Sequence, residues 1–156
     1  SPAAVLERIN RFYLHNVNYT TFVTVFLGIF NPRTRLLTYF NAGHHPPALV
    51  RRGTHEVLWL HPTGAAIGII EEYKITPGQV HLDPGDVLVL YTDGVSESIN
   101  AQRQEFGLER LGRLALNSLN LPTGDIVASL RHAIHDFTES RPPADDITIV
   151  ACKVTN

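Results

Sequence analysis

The most informative stretch of this sequence is Val87-Leu88-Val89-Leu90-Tyr91-Thr92-Asp93-Gly94. Its first five residues are typical of a buried β-strand. A bare Asp-Gly pair most often forms the turn of a hairpin. That reading fits poorly here, because no second strand follows within reach and residues 95–100 lead towards a helix. We therefore predict that Asp93 points its carboxylate into a cleft. Gly94, which has no side chain, would let another group or a ligand approach the backbone closely.

A second acidic site, Asp145-Asp146, stands directly before the apolar run 147–154. We predict that this run is a strand in the middle of a sheet. Taken alone, the acidic pair is more typical of a solvated turn or of charges that protect a sheet edge. Adjacent carboxylates repel each other, however, and a hard cation relieves that repulsion. Together, the two acidic sites suggest an all-oxygen site of the kind that suits magnesium or manganese.

The pattern of the other segments predicts grouped helices and strands rather than alternating ones. Such grouping favours an α+β fold with largely antiparallel sheets. A capped amphipathic helix starts at Ser1-Pro2 and is followed by a strand at 22–30, which we expect to be central and covered on both faces. The other predicted elements are strands at 36–40, 48–51, 56–60, 69–75 and 80–82, then helices around 108–115 and 126–137.

Composition narrows the class of protein. The 156 residues predict a single domain spanning 1–156. Hydrophobic residues make up 44% and charged residues 18%, as in an ordinary globular protein. Thirteen basic and 15 acidic residues give a net charge of −2 without a basic cluster, which argues against nucleic-acid binding.

The cellular setting is predicted from what the sequence lacks. No apolar stretch is long enough to cross a bilayer, so we expect no membrane contact by this domain. Cys152 is the single cysteine, which favours a reducing, cytoplasmic location. Because Cys152 lies in an apolar run, we expect it to be a small buried side chain.

Five short motifs occur in order along the chain. They are Phe22-Val23-Thr24-Val25-Phe26, Asn41-Ala42-Gly43-His44, Leu82-Asp83-Pro84-Gly85-Asp86, Tyr91-Thr92-Asp93-Gly94-Val95-Ser96-Glu97 and Asp145-Asp146-Ile147-Thr148. This series resembles the SpoIIE-like branch of the bacterial metal-dependent protein phosphatase (PPM) superfamily, over about residues 20–154.

The resemblance implies an α-β-β-α sandwich of two mainly antiparallel sheets flanked by helices. It also implies two manganese or magnesium ions, which hold a water that attacks phosphoserine or phosphothreonine directly. By matching motifs, Asp93 and Asp145 are the implied metal ligands, and no catalytic side chain is implied beyond the metal-bound water. Asp146 stands where related enzymes often have Asn, so we leave it outside the ligand set.

One departure from the family pattern concerns the metal site. Related enzymes place another bridging Asp in an upstream strand, but the first Asp of this sequence is Asp83, and Glu7 is the one acidic residue before Glu56. The chain also contains no Met. We therefore expect an N-terminally incomplete domain that lacks its first strands and binds metal weakly. A non-catalytic, phosphatase-like domain that binds a partner protein in signalling is the alternative.

The resemblance also implies a partner. The substrate would be a phosphorylated regulatory protein, such as an anti-sigma-factor antagonist, in a bacterial stress or development pathway. The pattern of the first helix leaves open a homodimer, since that helix could expose apolar surface.

Overall fold

The computed structural model describes residues 1–17, 21–139, 141 and 145–155. The chain forms two compact units, Ser1–Pro46 with Leu60–Leu82 and Pro47–Trp59 with Asp83–Asn156. The single domain remains a prediction. The elements are α1 (Pro2–Asn16), β1 (Val25–Asn31), β2 (Leu36–Ala42), β3 (Ala48–Arg51), β4 (Glu56–Trp59), β5 (Gly78–His81), β6 (Val87–Tyr91), α2 (Asp93–Ser96), α3 (Gly107–Asn117), α4 (Thr123–Phe137) and β7 (Ile149–Lys153).

The first unit contains α1 and a three-stranded antiparallel sheet in the order β1-β2-β5. The predicted hairpin of β1 and β2 is confirmed. Its turn is closed by the side-chain oxygen of Asn31, which accepts hydrogen bonds from the backbone of Arg33 and Thr34. A compact core forms among side chains of α1, β2 and the 67–75 segment, namely Leu6, Phe40, Ala42, Ile67, Tyr73 and Ile75.

Helix α1 begins as predicted, with the Ser1 hydroxyl accepting a hydrogen bond from the backbone of Ala4. Its inner side is anchored by Asn10, which is 1% exposed. The Asn10 amide donates to the Ile70 carbonyl at 2.9 Å and its oxygen accepts from Gly68 N at 2.8 Å. The other side of the helix carries large apolar side chains that are 43–64% exposed, namely Val5, Ile9 and Phe12.

Two predictions for this unit were wrong. Strand β1 begins at Val25 and lies at the edge of its sheet, with Ile29 and Phe30 exposed, instead of being central and covered on both faces. Its apolar composition indicates a strand, but among the described strands only β2 pairs with it. Residues 69–75 form no strand; this segment is held by single hydrogen bonds, including Tyr73 Oη to the Ala65 carbonyl.

The second unit contains a four-stranded antiparallel sheet in the order β4-β3-β6-β7. The predicted hairpin of β3 and β4 and the buried strand β6 are confirmed. Helices α3 and α4 pack on one face of this sheet, as their apolar periodicity predicts. The core between them is built from fully buried side chains, among them Val50, Val87, Val89, Tyr91, Leu111, Ile126 and Leu130.

Strand β7 differs from expectation in its place. Among the strands that the structure describes, it pairs with β6 alone and lies at the edge of the sheet, not in the middle. Its burial alternates along the strand, so Val150 and Cys152 face outward, and the prediction that Cys152 is buried was wrong. An apolar run is compatible with either position, because burial depends on which strands and helices cover it.

Asp86 joins the ends of three segments of this unit. Its carboxylate is 1% exposed and accepts hydrogen bonds from Arg51 Nη1 (2.8 Å), Arg52 N (2.9 Å) and Asp83 N (3.0 Å). Its backbone carbonyl accepts from Val154 N at 2.9 Å, just beyond the end of β7. Asp86 therefore fixes the start of β6 against the β3–β4 hairpin and against the chain that follows β7.

No helix within the described parts of the chain combines the length and the apolar composition that a membrane span requires.

Candidate metal centre

Asp93 lies where β6 passes directly into a short helix. Tyr91 ends the strand, Thr92 precedes the helix with extended backbone angles, and Asp93 is the first residue of α2. The prediction that Asp93-Gly94 does not form a hairpin turn is therefore confirmed. The Asp93 side chain is half-buried, and its Oδ1 accepts a hydrogen bond from Gly94 N at 2.9 Å. A rigid, buried strand thus determines where this carboxylate stands.

The segment that carries Asp145 lies against the residues on either side of Asp93. The last ladder pair of β6 and β7 joins Tyr91 to Ile149, and Thr92 N donates to the Thr148 carbonyl at 3.1 Å. A Cβ atom added to Gly94 would lie 2.6 Å from the carbonyl oxygen of Asp146 and 3.0 Å from that of Asp145. The predicted close neighbour of Gly94 is therefore the backbone of the second acidic site.

The side chains at that second site are exposed. Asp145 Oδ1 accepts a hydrogen bond from Asp146 N at 2.7 Å, which shapes the turn before β7. The structure brings the backbones of the two acidic sites to one end of the β6–β7 pair. Joint binding of one ion by Asp93 and Asp145 remains a prediction.

Glu97 is an acidic neighbour of Asp93 that the sequence reasoning did not assign to the site. A carboxylate oxygen of Glu97 lies within 4.8 Å of a carboxylate oxygen of Asp93. Among the described residues, Asp145 does not belong to this close group. One helical turn brings the two residues together, since Glu97 N donates to the Asp93 carbonyl at 2.8 Å. The four-residue spacing between Asp93 and Glu97 is the sequence feature from which this proximity could have been predicted.

The donor set at this end of β6 suits a hard cation. Asp93 and Glu97 offer carboxylate oxygens, the ligand type that magnesium and manganese prefer, and their mutual repulsion would be relieved by a bound ion. Asp145 could add a third carboxylate. The carboxylates present therefore fit a hard divalent cation.

The strand beneath the site is apolar and uncharged. Tyr91 is 2% exposed, and its ring meets that of Trp59 edge to face at 6.5 Å between centroids. Burial raises the pKa of the Tyr91 phenol well above its usual range. Tyr91 is therefore neutral at physiological pH and adds no charge beside the acidic residues at the end of β6.

Known proteins share both the fold and the sequence pattern. The two antiparallel sheets and their helices have the α+β fold of PP2C-type phosphatase domains. The family model described as Stage II sporulation protein E (SpoIIE) matches residues 1–155. The chain belongs to this SpoIIE family, and the resemblance to SpoIIE-like PPM phosphatase domains is confirmed.

One curated relative and two solved structures illustrate the similarity. Phosphoserine phosphatase RsbU of Bacillus subtilis is 33% identical over 96 residues, which cover 62% of this chain and 29% of that protein. The SiaA-PP2C domain of Pseudomonas aeruginosa superposes with a TM-score of 0.83 at 21% identity, covering 97% of this chain and 60% of that one. The manganese-presoaked phosphatase domain of Bacillus subtilis SpoIIE gives 0.68 at 19% identity, covering 100% and 66%.

These similarities differ in what they establish. The solved structures share under 25% of their residues with this chain and show the fold alone. The chain spans between a fifth and just under a third of the length of the curated relatives that it matches.

Proposed function

We propose that this chain is the catalytic part of a metal-dependent serine/threonine phosphoprotein phosphatase. The observation that carries the proposal is the approach of the Asp145-Asp146 backbone to Gly94, beside Asp93, at the end of a buried strand. Membership of the SpoIIE family and the phosphoserine phosphatase relative support the same activity.

Asp93 and Asp145 are the proposed metal ligands, with Glu97 as a further carboxylate next to Asp93. Manganese or magnesium is the proposed cofactor, which the manganese-presoaked SpoIIE domain supports. When bound, two such ions supply an acidic water and positive charge for the transferred phosphoryl group. The chain holds Asp93 on a rigid strand end, so its carboxylate need not be reorganised when substrate binds.

We further propose that the substrate is a phosphorylated bacterial regulatory protein, such as an anti-sigma-factor antagonist. The support is the similarity to RsbU and RsbP, two phosphoserine phosphatases of Bacillus subtilis. A cytoplasmic location and a homodimer stay predictions. The exposed side of α1, with Val5, Ile9 and Phe12, supports self-association.

One observation favours a second candidate, a phosphatase-like domain that binds a partner without hydrolysis. No Asp precedes Asp83 in the sequence, so the bridging carboxylate that related enzymes carry upstream has no counterpart among these 156 residues. With two or three carboxylates, we propose that the chain by itself binds metal weakly and hydrolyses phosphate esters slowly.

The proposed activity is tested by hydrolysis of an aryl phosphate and of a phosphoserine peptide with and without Mn²⁺. We expect slow hydrolysis that a chelator removes, that added Mn²⁺ restores and that Asp93→Asn eliminates, because a ligand is lost. Asp125→Asn, at an exposed aspartate in the first turn of α4, is the matched control and should retain the rate.

Two results would contradict the proposal: hydrolysis that persists in the chelator, or equal rates for Asp93→Asn and the unaltered chain. Binding of a phosphorylated regulator without any Mn²⁺-dependent hydrolysis would favour the second candidate.

A further inference from the structure

We infer that Thr92 is a positioning residue of the proposed metal centre: its hydroxyl holds the segment that carries Asp145 beside the strand end that carries Asp93. The inference rests on the proposed function, because it concerns the same site. It assigns to Thr92 a role in metal binding without direct contact with the ion.

The hydrogen bonds of the Thr92 side chain are directed away from its own helix. A threonine that precedes a helix usually accepts a hydrogen bond from a backbone N–H of the first turn. Thr92 makes no such bond. Its Oγ1 instead donates to the Asp146 carbonyl at 2.8 Å and accepts from Thr148 N at 3.0 Å.

These bonds continue the β6–β7 ladder beyond the point where its backbone pairing ends. The last ladder pair is Tyr91 with Ile149, after which Thr92 N still donates to the Thr148 carbonyl. At Asp93 the chain turns into α2, and the strand pairing with the segment before β7 stops. The Thr92 carbonyl accepts from Val95 N within α2. The Thr92 hydroxyl therefore replaces this carbonyl as the acceptor for Thr148 N, and it replaces the N–H of a further strand residue as the donor to the Asp146 carbonyl.

Asp93 is held between two contacts with the same segment. On one side, the Thr92 hydroxyl binds Asp146 and Thr148; on the other, Gly94 leaves room for the carbonyls of Asp145 and Asp146. Since Asp145 adjoins the residue that Thr92 binds, the hydroxyl sets the position of Asp145 relative to Asp93. Groups that orient metal ligands typically change metal affinity by about 10–100-fold when they are removed.

Two substitutions separate the hydroxyl from the shape of the side chain. Thr92→Val keeps the branched shape but removes both hydrogen bonds, whereas Thr92→Ser keeps the hydroxyl. Thr38→Val in β2 is a matched control that lies far along the chain from this site. The Thr38 hydroxyl accepts one long hydrogen bond from the described residues, at 3.4 Å from Gln79 Nε2.

The measurement is Mn²⁺ affinity of the 156-residue chain, followed by water-proton relaxation, which detects weak binding. We expect Thr92→Val to weaken binding by about tenfold or more, and Thr92→Ser and Thr38→Val to bind like the unaltered chain. Hydrogen exchange at Thr148 N should accelerate in Thr92→Val and not in Thr92→Ser. Thermal unfolding shows that each variant is folded during the titration; if Thr92→Val is not, Thr92→Ala takes its place.

The outcomes distinguish this inference from the proposed function. If Thr92→Val binds Mn²⁺ as the unaltered chain does while Asp93→Asn does not, the positioning role is wrong and the metal centre stands. Loss of affinity in Thr92→Ser equal to that in Thr92→Val would also overturn it, because the hydroxyl would not be the cause. If Asp93→Asn leaves Mn²⁺ binding unchanged, the proposed metal centre and this inference both fail.

Discussion

Replacing Gly94 with alanine is expected to destabilise the chain by about 1–3 kcal/mol and to weaken Mn²⁺ binding with it. The added Cβ would stand 2.6 Å from the Asp146 carbonyl oxygen and 3.0 Å from that of Asp145. Both neighbours are backbone atoms, so the strain can be relieved only by moving the segment before β7 or the first turn of α2. Either movement separates the two acidic sites.

Gly124 provides a matched control for this substitution. Both glycines are the second residue of a helix, but a Cβ atom at Gly124 would meet no atom of the described residues within 4 Å. Alanine at residue 124 should be neutral or stabilising by up to about 1 kcal/mol, because alanine favours a helix more than glycine does. Denaturant unfolding measures both changes. Equal effects of the two substitutions would show that the close approach at Gly94 carries no strain.

Replacing Asp86 with alanine is expected to lower the free energy of unfolding by up to about 3–5 kcal/mol, the usual cost of removing one partner of a buried ion pair. Asp86 is 1% exposed, and its partner Arg51 is 23% exposed. The substitution removes the acceptor for Arg51 Nη1 and for the backbone N–H groups of Arg52 and Asp83. Desolvated donors that lose an acceptor each cost about 1–3 kcal/mol.

The control for this substitution is Asp125→Ala, at an exposed aspartate near the start of α4. Loss of its favourable interaction with the helix dipole should cost no more than about 1 kcal/mol. The loss of unfolding free energy in Asp86→Asn should lie between the losses in Asp86→Ala and Asp125→Ala, because an amide keeps one acceptor oxygen. Urea unfolding at neutral pH compares the three variants, and a cost for Asp86→Ala no larger than that for Asp125→Ala would contradict the role given to this network.

The local features of this fold could be predicted from the sequence because they depend on interactions between residues that are close together in the chain. The Asn31–Thr34 turn, the start of α1 at Ser1 and the end of β6 before Asp93 all follow from residues adjacent in the chain. The α+β class with antiparallel sheets also follows from the order of the elements and is confirmed.

The order of the strands within each sheet could not be predicted from the sequence in this way. Strands β1 and β7 both have apolar sequences, yet both lie at sheet edges. A pattern of apolar residues records that a segment is partly buried, but not which elements cover it or pair with it. The exposure of Cys152 was missed for the same reason, since it depends on which face of β7 the helices cover.

Part of the candidate site could be predicted because it is tied to a strand end. Asp93 follows a buried strand, and Gly94 admits a close neighbour, both as the sequence indicated. Glu97 was missed because its proximity to Asp93 arises from the helical turn of α2, which is only four residues long. The hydroxyl bonds of Thr92 involve residues 54 and 56 positions away, so no local pattern predicts them.

The central claim is that Asp93 and Asp145 bind the same divalent ion, and a double-mutant cycle on Mn²⁺ affinity tests it most directly. The four proteins are the unaltered chain, Asp93→Asn, Asp145→Asn and the double variant. If the two carboxylates hold one ion, each single substitution should remove most of the affinity and the double variant should lose little more, because interacting residues are not additive. Unchanged Mn²⁺ affinity in Asp145→Asn would contradict the account. So would a loss of binding free energy in the double variant that equals the sum of the losses in the two single variants.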